Sequence, residues 1–76
     1  MRKDIDKNFI IQFGKNLRKI RLTKGISMQN LAYTINVEYS QISRIENGKI
    51  NTTIGTVNEI AKALEKPLEE FFIFDK

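Results

Sequence analysis

The stretch SMQNLAYTINVEYSQISRIENGK, residues 27–49, predicts two short helices joined by a tight turn. Ser27 suits the N-cap of the first helix because its side-chain oxygen can accept a hydrogen bond from a free backbone N–H. Asn36 suits the turn because Asn tolerates the left-handed backbone conformation better than most residues. The first helix is therefore predicted over 28–35, and its buried face follows from the residues at helical spacing, Leu31, Ala32 and Ile35.

The second helix of this stretch is predicted over 39–47, and Gly48 follows it as a C-cap would. Ile42 and Ile45 are three residues apart and share one face. A helix this short is not stable alone, so that face must pack on the rest of the chain. Its other faces carry hydrogen-bonding side chains, namely Tyr39, Ser40, Gln41, Ser43 and Arg44. This arrangement predicts a helix-turn-helix whose second helix enters the major groove of DNA.

The flanking sequence supplies the remaining helices of one small domain. Apolar residues recur at three to four from Phe9 onward, and Gly25 closes this first helix. Thr53 suits the N-cap of a fourth helix, and Pro67 suits the first turn of a short fifth one. The predicted architecture is all-α and compact, a single five-helix domain over 1–76 with helices at 9–24, 28–35, 39–47, 54–64 and 67–72.

Composition excludes several classes of function. The chain has no cysteine and no histidine, so disulfides, thiolate nucleophiles, imidazole bases and the usual zinc sites are excluded. No Gly-rich phosphate loop or nucleophile–base pair is present, and we expect neither an enzyme nor a cofactor or small-molecule ligand. No apolar run is long enough for a membrane span, and the charged first residues do not resemble a signal peptide. The expected location is cytoplasmic.

Charge is distributed unevenly along the chain. The net charge is +4, and residues 1–24 alone carry eight Lys/Arg and two Asp, a net +6. Residues 52–76 carry three Lys and five acids, a net −2. This polarity favours a basic side that meets a polyanion, although ordinary solvated helix faces would give the same pattern. The same two alternatives apply to Lys15, Arg18 and Lys19, among which Arg18 is the candidate for a phosphate contact.

Three stretches together resemble the lambda-repressor-like, or Xre-type, helix-turn-helix family. They are FGKNLRKIRLTKGIS at 13–27, LAYTINVEYSQISRIENGK at 31–49 and TIGTVNEIAKALEKPLEEFF at 53–72. The similarity covers residues 9–73, and the length also resembles the controller proteins of restriction–modification systems. The resemblance implies a homodimeric, sequence-specific transcriptional regulator that binds palindromic operators on double-stranded DNA.

The resemblance also implies which residues meet DNA. Base edges would be read by Tyr39, Ser40, Gln41 and Arg44. Arg can fork onto guanine O6 and N7, Gln can pair with adenine, and Ser can give or accept one bond. Phosphate contacts, which fix register rather than sequence, would come from Ser27, Met28, Gln29, Ser43, Asn47 and Lys49. At Ser27 to Gln29 the free N–H groups of a helix N-terminus would assist.

Two positions depart from the family pattern. Met28 stands where the family commonly has a phosphate-binding Gln, and Met has no donor. Glu38 stands where the family often has a capping Ser, Thr or Asp, and it brings negative charge close to DNA unless it reads a cytosine amine or pairs with Arg44. These departures support an alternative function, an antitoxin-like protein-interaction module that keeps the fold and has weak or no DNA binding.

Two further sets of residues have expected structural roles. The resemblance implies a salt bridge between Arg21 and Glu46 that holds the second helix of the motif, and we favour this role over direct DNA contact. The apolar C-terminal run exceeds what one small core absorbs, so it predicts an interface. A two-fold dimer would then place two second helices in successive major grooves, roughly 34 Å apart. The predicted dimer residues are Leu68, Phe71, Phe72 and Phe74.

Overall fold

The computed structural model describes residues 7–74, and this part of the chain is all-helical. Four α-helices are followed by one short 3₁₀ helix, called η1. Their bounds are α1 Lys7–Thr23, α2 Met28–Ile35, α3 Tyr39–Glu46, α4 Ile54–Leu64 and η1 Leu68–Phe72. The prediction of five α-helices was therefore wrong in one element, because the last one is a 3₁₀ helix and Pro67 precedes it as N-cap instead of opening its first turn.

Local capping explains where the central helices begin and end. The Ser27 side chain accepts a hydrogen bond from the Asn30 backbone N–H at 3.0 Å, and Thr53 does the same for Thr56 at 3.1 Å. Asn36 ends α2 in the left-handed conformation, with φ of 62°. The third helix ends at Glu46, one residue earlier than predicted, because Asn47 is its C-cap. The first helix begins at Lys7, the first described residue, and ends at Thr23.

One hydrophobic core joins all five elements. Its members come from the apolar face of each helix, so the helical spacing of the sequence places them correctly. Ile20, Ile35 and Val37 are partly buried and pack around its edge. The buried members are Phe13, Leu17, Leu31, Ala32, Ile42, Ile45, Val57, Ile60, Ala61, Leu64 and Phe71.

The position of Phe71 contradicts its predicted role in a dimer interface. Phe71 is fully buried, with 0% of its surface exposed, in the core of its own protomer. Its ring lies 6.2 Å from that of Phe13, measured between centroids. The prediction counted apolar residues at the end of the chain but could not tell which of them is buried in the core. Phe71 is a core residue, and a second copy of the chain cannot reach it.

The rest of the C-terminal segment is also held against α1. The Phe72 ring stacks at 5.2 Å from Phe13 and at 5.8 Å from Phe9, and Phe74 lies edge-on to Phe9 at 5.2 Å. Asn16 donates two hydrogen bonds from its side-chain amide, to the carbonyl of Phe71 at 3.0 Å and to that of residue 73 at 2.9 Å. The domain itself therefore absorbs much of the apolar run that the sequence assigned to an interface.

Candidate nucleic-acid interface

The burial of α3 fixes which of its faces points outward. Ile42 and Ile45 are 0% and 1% exposed, so one face of α3 is sealed against the core. Ser40 and Arg44 are exposed on the opposite side, four residues apart and therefore on one face of the helix. Tyr39 is 51% exposed at the first position of α3. Three of the four predicted base-reading residues thus share an open surface.

Gln41, the fourth predicted base-reading residue, is only half-buried and lies towards the side of this surface. Ser43 is also half-buried, and its backbone carbonyl accepts a hydrogen bond from the Asn47 side-chain amide at 2.9 Å. This bond holds Asn47, which is itself exposed, at the end of α3. Lys49 follows as an exposed cation, with its backbone N–H bonded to the Arg44 carbonyl at 2.8 Å.

The N-terminus of α2 presents a second group of predicted contacts. Ser27 and Gln29 are exposed there, and the Ser27 oxygen already accepts the capping bond, so its hydroxyl proton remains able to donate. Met28 differs from both, because its side chain is half-buried and packs against the hydrophobic core. Only the backbone N–H of Met28 could therefore serve an anion. The sequence reasoning placed Met28 on the surface and missed this packing role.

Arg18 lies on the side of α1 that packs against α3. Gly14 and Arg21 are both buried, and Arg18 is spaced four residues after the first and three before the second. These three positions therefore lie along one stripe of α1. Of the three, only Arg18 is exposed. Lys15 and Lys19 are also exposed, but each follows a member of this stripe by one position and so lies about 100° further round the helix. The geometry thus separates Arg18 from the two lysines that the charge pattern could not distinguish.

Arg21 and Glu46 form a buried, two-pronged salt bridge between α1 and the end of α3. The distances are 2.5 Å from Nε to Oε2 and 3.1 Å from Nη2 to Oε1, and the side chains are 6% and 2% exposed. The remaining Arg21 nitrogen donates to the Ile26 carbonyl at 2.8 Å. All three nitrogens are thus engaged inside the domain. This is the structural pairing that the resemblance implies, and it holds the Arg21 guanidinium inside the domain, with its side chain 6% exposed.

Glu38 begins α3 without the bonds that a favourable cap would supply. Within residues 7–74 its side chain makes no capping hydrogen bond, and only its backbone carbonyl bonds the Gln41 N–H, at 3.0 Å. In the same described region no salt bridge joins Glu38 to Arg44. Both side chains are exposed. Arg44 is therefore open to an external partner, and the Glu38 charge remains close to the start of α3.

Gly14 in α1 was missed by the sequence reasoning. It lies in a helix interior, where Gly costs roughly 1 kcal/mol relative to Ala, so its presence there is itself a signal that a backbone approaches closely. A side-chain carbon at this position would meet the carbonyls of Ile45 and Glu46. Gly14 thus allows α1 and α3 to touch through their backbones.

Two chemical features are absent from the described part of the chain. Residues 7–74 contain no cluster of acidic, cysteine or histidine side chains able to hold a metal ion. No helix among these residues combines the length and the apolar character needed to cross a membrane.

The fold and the surface together define a helix-turn-helix domain in which one face of α3, the second helix of the motif, is exposed. A family model described as helix-turn-helix, HTH_3, matches residues 17–71. The chain belongs to this family, which is the Xre-type family of the sequence resemblance.

Several individual proteins are similar to the chain. It is 37% identical over 71 residues to an uncharacterized HTH-type transcriptional regulator of Rickettsia conorii, covering 87% of this chain and 57% of that protein. It is 36% identical over 58 residues to the control protein C.BamHI of Bacillus amyloliquefaciens, covering 75% of this chain and 72% of that one. The chain spans only slightly more than half of the Rickettsia regulators that it matches.

A solved structure with the same fold is the restriction–modification controller protein C.AhdI from Aeromonas hydrophila. It superposes with a TM-score of 0.80 at 30% identity, covering 83% of this chain and 96% of that chain. The similarity therefore includes sequence as well as fold.

Proposed function

We propose that this protein is a sequence-specific, DNA-binding transcriptional regulator in which α3 is the reading helix. The observation that carries the proposal is the orientation of α3, which buries Ile42 and Ile45 and leaves Ser40 and Arg44 open. The Arg21–Glu46 bridge supports this role, because it anchors the end of α3 to α1. A helix held in this way presents fixed side chains to a groove, which base reading requires.

The exposed side chains of the reading helix supply a mixed set of base contacts. Arg44 can donate two parallel hydrogen bonds to guanine, and Ser40 can bond either kind of base edge. Gln41 can pair with adenine when it extends from its half-buried position. Tyr39, at the start of the helix, can contact a thymine methyl or a phosphate. This combination of one strong and several weaker readers suits a short operator half-site.

A separate set of residues would bind the phosphate backbone on either side of the reading helix. At the start of α2, Ser27 and Gln29 would act together with the free N–H groups of the helix, including that of Met28. On the other side, exposed groups follow the end of α3, namely Asn47 and Lys49, with Ser43 beside them. Such contacts set the register of the protein on the duplex.

We further propose that the protein acts as a homodimer on palindromic sites, in the cytoplasm, and controls its own synthesis or a restriction–modification system. The similarity to control proteins supports the last point. With Phe71 excluded, the dimer face would consist of the apolar side chains that remain exposed in the C-terminal segment. Leu68 is 39% exposed, Phe72 is 38% exposed and Ile73 is 67% exposed. Phe74 is half-buried and would contribute at the edge.

Selection from a pool of random duplexes tests the proposed function. We expect a two-fold symmetric consensus, bound about 10³-fold or more tightly than a scrambled duplex, with affinity falling steeply as salt rises. Duplexes taken from upstream of the coding sequence of the protein test control of its own synthesis in the same assay. Recovery of no consensus, with equal weak binding to every duplex, would contradict the proposal.

A second candidate function is the antitoxin-like protein-interaction module. The charge of Glu38 favours it, since this exposed carboxylate has no partner in Arg44 within residues 7–74. The inward packing of Met28 also favours it, because that side chain offers nothing to a phosphate. Under this function Arg44→Ala would leave activity intact, whereas under DNA reading it would weaken binding to the consensus.

A further inference from the structure

The contact between α1 and α3 is made backbone to backbone at one point, Gly14. A Cβ built on Gly14 would lie 2.7 Å from the Glu46 carbonyl oxygen and closer still to that of Ile45, whereas ordinary contacts of this kind begin near 3.4 Å. The atoms in the way belong to backbone, so no change of rotamer could remove the overlap. The gap between the two helices therefore depends on the absence of a side chain.

The same edge of α1 contacts the end of α3 at two other places. Ile11, one turn before Gly14, lies against Gly48, which has a φ of +68° and follows α3. Arg21, two turns after Gly14, holds Glu46 through the salt bridge. Three contacts along one edge of α1 thus converge on the last turn of α3 and on Gly48, which follows its C-cap.

We propose that Gly14 is a positioning residue for base reading, because its missing side chain sets how close the last turn of α3 lies to α1. This inference rests on the proposed reading role of α3. Arg44 is in that last turn, whereas Tyr39 and Ser40 are at the other end of the helix. A displacement of the last turn moves the Arg44 side chain most and the first readers least.

The size of the displacement can be estimated from helix geometry. The eight residues of α3 span about 12 Å at 1.5 Å per residue. Moving one end by about 1 Å while the other stays fixed tilts the helix by about 5°. A bidentate contact between Arg and guanine depends on both the distance and the direction of two hydrogen bonds, so a shift of about 1 Å at Arg44 weakens it.

A second glycine of the chain provides a matched control. Gly55 lies in the first turn of α4, and a Cβ there would meet only the Thr53 hydroxyl, at an ordinary 3.9 Å. Gly14→Ala and Gly55→Ala make the same chemical change in a helix, and both raise its intrinsic propensity. Only the substitution at Gly14 would push on α3.

The experiment compares both variants in a Glu65→Gly background, which we expect to be more stable because Glu65 has a φ of 55°. The DNA arm measures affinity for the selected operator, for a scrambled duplex and for operators with single base-pair changes. We expect Gly14→Ala to lower the operator-to-scramble ratio about tenfold, mainly at the base pair that Arg44 reads, and Gly55→Ala to leave it within about twofold.

The structural arm uses no DNA and measures amide residual dipolar couplings. We expect the orientation of α3 relative to α1 to change in Gly14→Ala and to stay fixed in Gly55→Ala. An unchanged orientation in folded Gly14→Ala, or an unchanged operator-to-scramble ratio, would overturn the inference. Failure of Gly14→Ala to fold in the stabilised background would also overturn it, since Gly14 would then be required for folding. A wild-type protein without operator preference would instead contradict the proposed function.

Discussion

At the scale of single residues, the buried Arg21–Glu46 salt bridge carries a high cost of desolvation. Two charges are almost completely removed from water there, and their mutual hydrogen bonds offset the cost of desolvation. An exposed salt bridge such as that between Lys62 and Glu59, at 3.9 Å, has no comparable consequence. The buried pair therefore matters mainly because loss of one member strands the other.

Glu46→Gln should lower the free energy of unfolding by about 2–4 kcal/mol, since Arg21 would stay buried without its countercharge. The control is Glu59→Gln, which removes the exposed partner of Lys62 and should change stability by less than about 0.5 kcal/mol. Urea denaturation of both variants measures the difference. Equal stability of Glu46→Gln and wild type would show that the pair does not anchor α3.

Glu65→Gly should raise the free energy of unfolding by about 0.5–1 kcal/mol. Glu65 ends α4 with φ of 55° and ψ of 47°, a left-handed conformation that suits glycine and costs other residues energy. Glu65→Ala removes the same charge but keeps the Cβ, so it separates the charge from the backbone effect. Thermal unfolding of the two variants gives the comparison, and a stabilising Glu65→Ala would show that charge is responsible.

The bounds of α2 and the start of α4 were predictable because each has a local capping signal. Ser27 and Asn36 bound α2, and Thr53 begins α4, through hydrogen bonds to residues within four positions along the chain. The C-terminal segment has no such signal. Whether Phe71 or Phe72 is fully buried depends on the 3₁₀ geometry of η1 and on its contacts with the distant α1, including Asn16. Gly14 was missed for the same reason, since its partner lies on another helix.

Glu38→Ser should raise both the stability of α3 and its affinity for the proposed operator. A Ser side chain can accept a hydrogen bond from a free N–H of the first turn, worth about 0.5–1 kcal/mol of stability, where Glu38 makes none within the described residues. The change also removes a negative charge beside the proposed DNA surface, so operator affinity should rise. Glu69→Ser, at an exposed site in η1, is the charge-matched control. Greater stability with unchanged affinity would favour the protein-interaction alternative.

At the scale of the whole molecule, the C-terminal segment has a role in the core and a proposed role in a dimer, and substitutions can separate the two. Phe71→Ala should lower the free energy of unfolding by about 3–5 kcal/mol, because it opens a cavity in the core. Ile73→Asp should leave that stability nearly unchanged and should dissociate the proposed dimer, because Ile73 is 67% exposed. Sedimentation equilibrium measures the association of both. A dimer that persists in Ile73→Asp would place the interface elsewhere.

In the proposed mechanism, the whole domain presents one fixed surface to DNA. The core holds α2 and α3 in a fixed relation, the Arg21–Glu46 bridge ties α3 to α1, and Arg44 projects from the open face. In the proposed complex, the base at each position would depend on these orientations and on the spacing of the proposed dimer. The sequence predicts candidate base-reading residues by type, but not the base that each would meet.

The most direct test of base reading by α3 compares wild type with Arg44→Ala on the selected operator and on its single base-pair variants. Lys62→Ala, on the exposed surface of α4, removes the same charge away from the reading helix and serves as control. We expect Arg44→Ala to lose about 1–3 kcal/mol of binding and to lose discrimination at one base pair of each half-site, while Lys62→Ala keeps both. Equal losses in the two variants, spread evenly over all base pairs, would contradict base reading by α3.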